Sequence, residues 1–191
     1  MNLNLFFTPT DILLPAHADM RRWSVIACDQ FTADAGYWQA VQDTVCDAPS
    51  TLRLMLPEFY LGKCDEAAAT REIQQTMRRY LDDGVFRTVP HSLVLVQRTL
   101  PGGAVRCGVV GALDLEAYDY APDSVTPIRA TEGTVASRLP ARVRIRAAAA
   151  LEMPHIMVFY SDPEDTIRRE AQAAAGETLY DFDLMSGGGH V

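Results

Sequence analysis

The stretch Ser92-Leu-Val-Leu-Val-Gln-Arg-Thr99, followed by Pro101-Gly102-Gly103 and then by Val105-Arg-Cys-Gly-Val-Val110, decides the fold class. Both flanks are short and apolar, and the Pro-Gly-Gly between them suits a tight reversal. This pattern predicts a β-hairpin, which excludes a purely parallel, doubly wound sheet. The chain is therefore expected to be α/β or α+β, with a mixed sheet that includes the hairpin and with helices packed on it.

Two helices are predicted upstream of this hairpin. Asp65 is suited to an N-cap, the apolar side chains that follow recur at helical spacing, and Gly84 stands where such a helix would end. Thr32 is the expected N-cap of an earlier helix that buries Tyr37 and Trp38. The side chains expected in the core are Tyr37, Trp38, Ile73, Met77, Val94, Val109, Ile156 and Val158.

Three further elements are expected after the hairpin. His155-Ile-Met-Val-Phe-Tyr160 is a continuous apolar run and predicts a central strand. Asp162-Pro163-Glu164 predicts the start of a helix that runs to Gly176. Thr178-Leu-Tyr-Asp-Phe-Asp-Leu184 alternates in the manner of a half-exposed strand. Short strands are also expected at residues 12–15 and 23–28, and a loop with one helical turn at residues 113–126.

Length and composition limit the number of domains and the class of partner. The chain has 191 residues, of which 48% are hydrophobic and 22% charged, as in a globular protein with a core. We expect residues 1–185 to form a single α/β domain, and residues 186–191 to be a Gly-rich connector or a frayed tail. The net charge of −8 argues against a nucleic acid or an anionic membrane as partner. The sequence has no targeting segment and no apolar run of about 20 residues, so a cytoplasmic protein is expected.

The common cofactor and nucleotide motifs are absent from the sequence. The four cysteines include no C-x-x-C pair and the four histidines have no metal-ligand spacing, so no metal site is predicted. Gly62-Lys63 is followed by Cys64 instead of Ser or Thr, which excludes a P-loop. Neither a G-x-G-x-x-G loop nor a G-x-S-x-G nucleophile elbow occurs. The sequence therefore leaves any cofactor unknown.

Residues 128–146 form a basic segment within an acidic chain. The segment contains five arginines and a single acid, Glu132. Arginine forks, hydroxyls and free backbone N–H groups are what a phosphate or carboxylate site requires. We therefore predict an anion site here, with Glu132 as a catalytic residue. The predicted ligand-binding residues of the segment are Arg129, Thr131, Thr134 and Arg138.

The later arginines of this segment also have a purely structural interpretation. Arg142, Arg144 and Arg146 could form the solvated stripe of a helix or the wet face of a strand. Their spacing alone leaves both alternatives open.

A second candidate site follows the apolar residues 23–28. Asp29-Gln30-Phe31-Thr32 comes at the carboxyl end of this predicted strand, where open α/β sheets collect ligand-binding residues. We predict that Asp29 is catalytic and that Gln30 binds the ligand. The alternative role for Asp29 is an Asx turn or a helix start.

Several stretches, taken in their order along the chain, carry a resemblance to a known family. They are Ile12-Leu-Leu-Pro15, Trp23-Ser-Val-Ile-Ala-Cys-Asp-Gln-Phe-Thr32, Pro49-Ser-Thr-Leu52, Gly111-Ala-Leu-Asp-Leu-Glu-Ala-Tyr-Asp-Tyr120, Ile128-Arg-Ala-Thr-Glu-Gly-Thr-Val135, Leu151-Glu-Met-Pro-His-Ile-Met157 and Leu179-Tyr-Asp-Phe-Asp-Leu184. They resemble the bacterial and archaeal domain-of-unknown-function family 1015. The resemblance implies a longer protein of which this chain is the N-terminal half. The later half of the family has an Asp-Gly-x-His type motif, and in this it resembles the ParB and sulfiredoxin-like superfamily. That superfamily includes a serine kinase. The 191 residues of this chain lack the motif.

By this resemblance we expect a phosphate- or nucleotide-using, phosphotransferase-like enzyme that acts on a small metabolite, with this chain supplying part of the site. Arg129 and Arg138 would hold anionic oxygens, and Glu132 or Asp29 would act as a base. One alternative is a non-catalytic module that binds an anion or a partner protein. The other is a structural half-domain that needs its missing C-terminal half and self-associates through an apolar patch near residues 180–184.

Overall fold

The computed structural model describes residues 6–26, 31–133, 135–153 and 155–191. In these ranges the helices are α1 (Met20–Trp23), α2 (Ala35–Val45), α3 (Glu66–Asp82), α4 (Leu139–Arg146) and α5 (Thr166–Ala174). The strands are β1 (Phe7–Thr8), β2 (Thr10–Pro15), β3 (Phe86–Ser92), β4 (Val94–Thr99), β5 (Val105–Val110), β6 (Ala112–Leu113), β7 (Tyr118–Asp119) and β8 (Ile128–Arg129). Short 3₁₀ helices lie at Thr51–Leu54, Glu58–Tyr60, Leu115–Ala117, Ala136–Arg138 and Met185–Gly187.

The strands pair two by two. β4 and β5 form the predicted antiparallel hairpin, in register from Val94 opposite Val110 to Thr99 opposite Val105. β2 pairs with β3 and β1 with β6, both antiparallel, whereas β7 and β8 are parallel. Both pairing directions occur, distributed over separate two-stranded sheets in the described ranges. The predicted α+β class is confirmed.

The helix predicted from Asp65 is confirmed as α3. One carboxylate oxygen of Asp65 accepts from the backbone N–H groups of Ala67 and Ala68, both at 3.0 Å. After the helix ends, Gly84 has a φ of +68°, a conformation that glycine adopts without a steric penalty. Both ends of α3 are therefore set by residues local to the helix.

The start of α2 differs from the prediction by two residues. Asp34, not Thr32, is the N-cap, because its carboxylate accepts from the backbone N–H of Tyr37 at 2.8 Å. For the arginine-rich segment, where helix and strand were both open, the structure has a helix, α4, with Pro140 in its first turn.

Two clusters of buried side chains form the core around α2 and α3. The cluster on α3 consists of Trp23, Leu54, Ile73, Met77, Tyr80 and Ile145. The cluster on α2 consists of Ile26, Tyr37, Trp38, Val41 and Val45. The predicted burial of Tyr37, Trp38, Ile73 and Met77 is confirmed. Val94 and Val109 are only half-buried, because a two-stranded hairpin is covered less completely than a central sheet.

The predicted central strand at residues 155–160 is wrong. Its residues belong to no strand and make no backbone hydrogen bond to any described residue. Ile156 is 67% exposed and Val158 46%, so neither is in the core. A continuous apolar run predicts a buried strand only where neighbouring strands supply partners for its backbone, and none does so here.

Three other elements also differ from the predictions, in their type, their start or their presence. Trp23 ends the helix α1 and does not start a strand, while residues 27 and 28 lie outside the described ranges. The helix expected from Asp162 begins at Thr166, although the Asp162 carboxylate still accepts from the backbone N–H of Ile167 at 2.7 Å. Residues 178–184 form no strand pair apart from one bridge between Asp183 and His190.

The last ten residues, 182–191, form a hydrogen-bonded segment that we call the C-terminal loop. Phe182 and Val191 exchange two backbone hydrogen bonds of 2.9 Å, and His190 exchanges two with Thr99 at the end of β4. Arg98 donates from Nε and Nη2 to the carbonyl of Gly188, at 3.0 and 2.7 Å. The domain boundary at residue 185 stays a prediction, but residues on both sides of it belong to this loop.

Candidate functional site

The carboxylate of Glu58 lies between two arginines of the basic segment. Its oxygens are 3.2 Å from Arg138 Nη2 and 3.0 Å from Arg142 Nη2, and its side chain is only 8% exposed. A nearly buried carboxylate needs such compensation, because desolvation penalises its charge. Arg138 therefore uses Nη2 on a carboxylate of its own chain, and a ligand anion bound by Arg138 would compete with Glu58 for the guanidinium.

The remaining arginines of α4 also attach the helix to its neighbours. Arg144 pairs with Glu66 in the first turn of α3, and Arg146 pairs with Glu152 at 2.6 Å. The side-chain amide of Gln74 donates to the carbonyls of Arg144 and Ile145 at 2.9 and 3.0 Å. These contacts place α4 across α3, with its arginine side chains half-exposed.

Arg129 differs from the other arginines of the segment. It ends β8, opposite Asp119 in the parallel pair with β7, and its side chain is exposed. Among the described residues, the Arg129 guanidinium has no hydrogen bond and no ion pair. Four arginines of the segment thus have acidic partners, whereas Arg129 has none in the part of the chain that the structure describes.

Thr131 and Glu132 lie in the exposed turn that follows Arg129. Nothing joins the Arg129 and Glu132 side chains directly in the structure. Hydrogen bonds hold the residues that precede this turn. Thr126 Oγ1 donates to the carbonyl of Ile128 at 2.9 Å and lies 2.7 Å from Ser124 Oγ. We call residues 129–132 the Arg129 turn; Thr134, predicted with them, lies outside the described residues.

Asp29 and Gln30, the second predicted site, also lie outside the described residues. The adjoining residues show a feature that sequence reasoning missed. Phe31 stacks on Tyr37 with ring centroids 3.8 Å apart, and the buried Tyr37 hydroxyl has no hydrogen-bond partner of standard geometry among the described residues. Burial raises the pKa of Tyr37, and the nearby backbone of Ile26 opposes that rise. The helical spacing of Tyr37 indicated only a core residue, and nothing in it signalled the unpaired hydroxyl.

A half-open groove of about 620 Å³ separates α2 from α3. Arg53 on one wall donates to the carbonyls of Ala48 and Cys46, and Arg79 on the other donates to the hydroxyl of Thr76. The groove is also lined by the carboxylates of Asp43, Asp47 and Glu72. Because its acids outnumber its arginines, this groove does not suit a polyanion such as a nucleotide.

Metal-binding groups, free thiols and membrane-spanning helices can each be stated for the described ranges. No group of three or more His, Cys, Asp or Glu side chains there has the geometry to hold a metal ion. Cys46, Cys64 and Cys107 are free thiols. None of the helices in those ranges is both long and apolar enough to cross a membrane.

The Arg129 turn, residues 111–120 and residues 179–184 all lie within one continuous family match. The model of the family described as Protein of unknown function (DUF1015) matches residues 9–191, nearly the whole chain. Searches of curated proteins and of solved structures find no match. The chain therefore belongs to the DUF1015 family.

Proposed function

We propose that the chain supplies part of the site of a phosphate- or nucleotide-using, phosphotransferase-like enzyme in the cytoplasm. In this proposal the Arg129 turn binds the anionic group of a small metabolite or nucleotide. One observation carries it: Arg129 is the arginine of the basic segment whose guanidinium has no acidic partner among the described residues, next to the exposed Thr131 hydroxyl. A free guanidinium fork beside a hydroxyl is a good receptor for a phosphate or carboxylate.

The other predicted residues take secondary roles in this proposal. Glu132 provides an exposed carboxylate on the same turn, which could accept a proton from a substrate hydroxyl. The roles of Asp29, Gln30 and Thr134 stay predictions, because these residues lie outside the described ranges. Arg138 plays a smaller part, because the Glu58 carboxylate already neutralises much of its charge.

Ligand titration tests the binding part of the proposal. We expect inorganic phosphate and Mg-ATP to raise the Tm of the chain, and Arg129→Ala to abolish the rise. Arg106→Ala is the matched control, because Arg106 is an exposed arginine on β5 and its loss changes the net charge equally. If Arg106→Ala reduces binding as much as Arg129→Ala does, only the overall charge matters and the site is elsewhere.

Catalysis needs a separate measurement. Incubation of the chain with γ-labelled ATP and a panel of small hydroxyl-bearing metabolites should give a labelled product, and Glu132→Gln should suppress its formation while phosphate binding persists. Binding without any transfer would favour the second candidate, a non-catalytic module. That candidate is favoured by the apolar residues 156–160, which lie exposed as in a protein that binds a partner.

A further inference from the structure

Residues 156–160 form an exposed apolar patch made of consecutive residues. Ile156, Met157 and Phe159 are 67%, 72% and 76% exposed, and Val158 and Tyr160 are about half-exposed. The backbone of residues 155–161 makes no hydrogen bond with any described residue. The segment therefore presents apolar side chains to solvent, together with backbone N–H and C=O groups that have no partner in the described part of the chain.

Such a segment has the composition of a β-strand. Ile, Val, Phe and Tyr are the residues that pleated, half-buried surfaces favour. An uncharged, apolar run with a free backbone edge is a template for strand addition from another chain. A partner strand would pair with its backbone and cover its side chains.

The helix that follows, α5, also exposes apolar side chains. None of the residues of α5 is buried, although its sequence is amphipathic, and Ile167 on its apolar side is 48% exposed. Asp162, Glu164 and Asp165 stand between the patch and α5, so α5 adds a separate exposed apolar surface.

We propose that residues 155–162 pair antiparallel with the same segment of a second copy of this chain. The argument for a second copy is the complementarity of the two ends of the segment, which has the imidazole of His155 at one end, the carboxylate of Asp162 at the other and no Asp, Glu, Lys or Arg between them. An antiparallel two-fold pairing places His155 of each copy opposite Asp162 of the other. A parallel pairing would place Asp162 against Asp162, and like charges directly opposite destabilise a strand pair.

The same register also matches the apolar side chains. Val158 falls opposite Phe159 and Met157 opposite Tyr160, each pair occurring twice across the two-fold axis. These are β-branched–aromatic and sulfur–aromatic pairs, both of which stabilise strand pairing. The net charge of −8 on each copy opposes association in general, and a run without Asp, Glu, Lys or Arg between its ends adds no like-charge contact of its own.

Analytical ultracentrifugation of the full chain over a wide range of concentrations tests the proposal. We expect a reversible monomer–dimer equilibrium, and Phe159→Glu should raise the dimer Kd about tenfold or more. Val125→Glu is the control, because Val125 is 95% exposed but lies outside the segment. A chain that stays monomeric at every concentration, or equal effects of the two substitutions, would overturn the proposal.

Charge substitution tests the register. His155→Glu should weaken the dimer by placing two carboxylates opposite each other, and adding Asp162→Asn should restore it. Asn keeps a side-chain oxygen that can accept from the backbone N–H of Ile167, so the hydrogen bond at the start of α5 is retained. Restoration supports the antiparallel register, whereas a dimer indifferent to both changes would show that the copies meet on another surface.

Discussion

Glu58 precedes Arg142 by 84 positions in the sequence, yet its carboxylate lies 3.0 Å from the Arg142 guanidinium in the fold. Arg138 shares the same carboxylate. This ion pair gives the basic segment a structural role, because most of its positive charge is matched by glutamates of the same chain. It leaves Arg129 as the residue of the segment best placed to meet a ligand.

Glu58→Gln should lower the free energy of unfolding by about 1–2 kcal/mol, since it removes the charge shared by two half-exposed arginines. Urea denaturation measures this loss. Glu152→Gln is the control, because the Glu152 side chain is 65% exposed and should contribute little. Combining Glu58→Gln with Arg142→Ala should cost less than the sum of the two single changes. Strict additivity would show that the pair does not interact.

The stability of the chain should depend on the protonation of His190. The hydrogen bond with Asp183 is the main cause that raises the pKa of His190. Desolvation opposes this rise, and the negative charges of Asp181 and Asp183 raise the pKa further. Because the folded state has the higher pKa, the stabilisation is fully present below pH 6.5, the ordinary value, and is lost as the pH rises through the raised pKa.

Thermal unfolding between pH 5 and 9 tests the role of His190. Tm should fall across the window that begins near the ordinary histidine pKa, and His190→Gln should flatten that fall. His17→Gln should leave the profile unchanged, since His17 is exposed and has no partner among the described residues. A profile unaffected by His190→Gln would contradict the prediction.

Gly189→Ala should open the C-terminal loop. Gly189 has a φ of +97°, and a Cβ there would lie 2.1 Å from the carbonyl oxygen of Thr99. We expect a loss of about 1–3 kcal/mol from strain and displaced hydrogen bonds. Gly102→Ala is the control, because a Cβ at Gly102 meets no atom within 4 Å. Equal stability of the two variants would show that the loop contributes nothing to the fold.

Trp38→Ala should destabilise the α2 cluster by about 3–5 kcal/mol, because Trp38 is fully buried. Its indole N–H also donates to the carbonyl of Phe31 at 2.8 Å, so Trp38→Phe should be destabilising as well, though less so. Chemical denaturation followed by circular dichroism provides the measurement. Tyr120→Ala, which removes a 77% exposed aromatic ring, should have almost no effect; a comparable loss there would argue against the core assignment.

The elements that the sequence predicted well depend on neighbours in the chain. The cap at Asp65, the glycine after α3 and the hairpin turn each involve residues only a few positions apart. The core side chains of α2 and α3 follow from helical spacing for the same reason. Local chemistry was enough to place all of these.

The features that the sequence did not predict depend on distant partners. β3 contains Pro90 and polar residues and pairs with β2 across more than seventy positions, with a bulge where Asp11 accepts from the backbone N–H of His91. Residues 155–160 have a strand composition but no strand beside them. For the candidate site, the sequence located the basic segment but not Glu58, because nothing near Glu58 in the chain marks it as the partner of Arg138.

The hydrogen bonds of the C-terminal loop determine which residues take part together in local unfolding. The amides of Thr99, Phe182, Leu184 and Val191 all donate to carbonyls across the loop or between the loop and β4. One opening event therefore exposes amides from widely separated parts of the sequence, which makes the end of β4 and the last ten residues a single cooperative unit of local unfolding. In deuterium exchange these amides should become labelled at a common rate, faster than the amides in the middle of α3, whose release requires the core around Met77 to come apart.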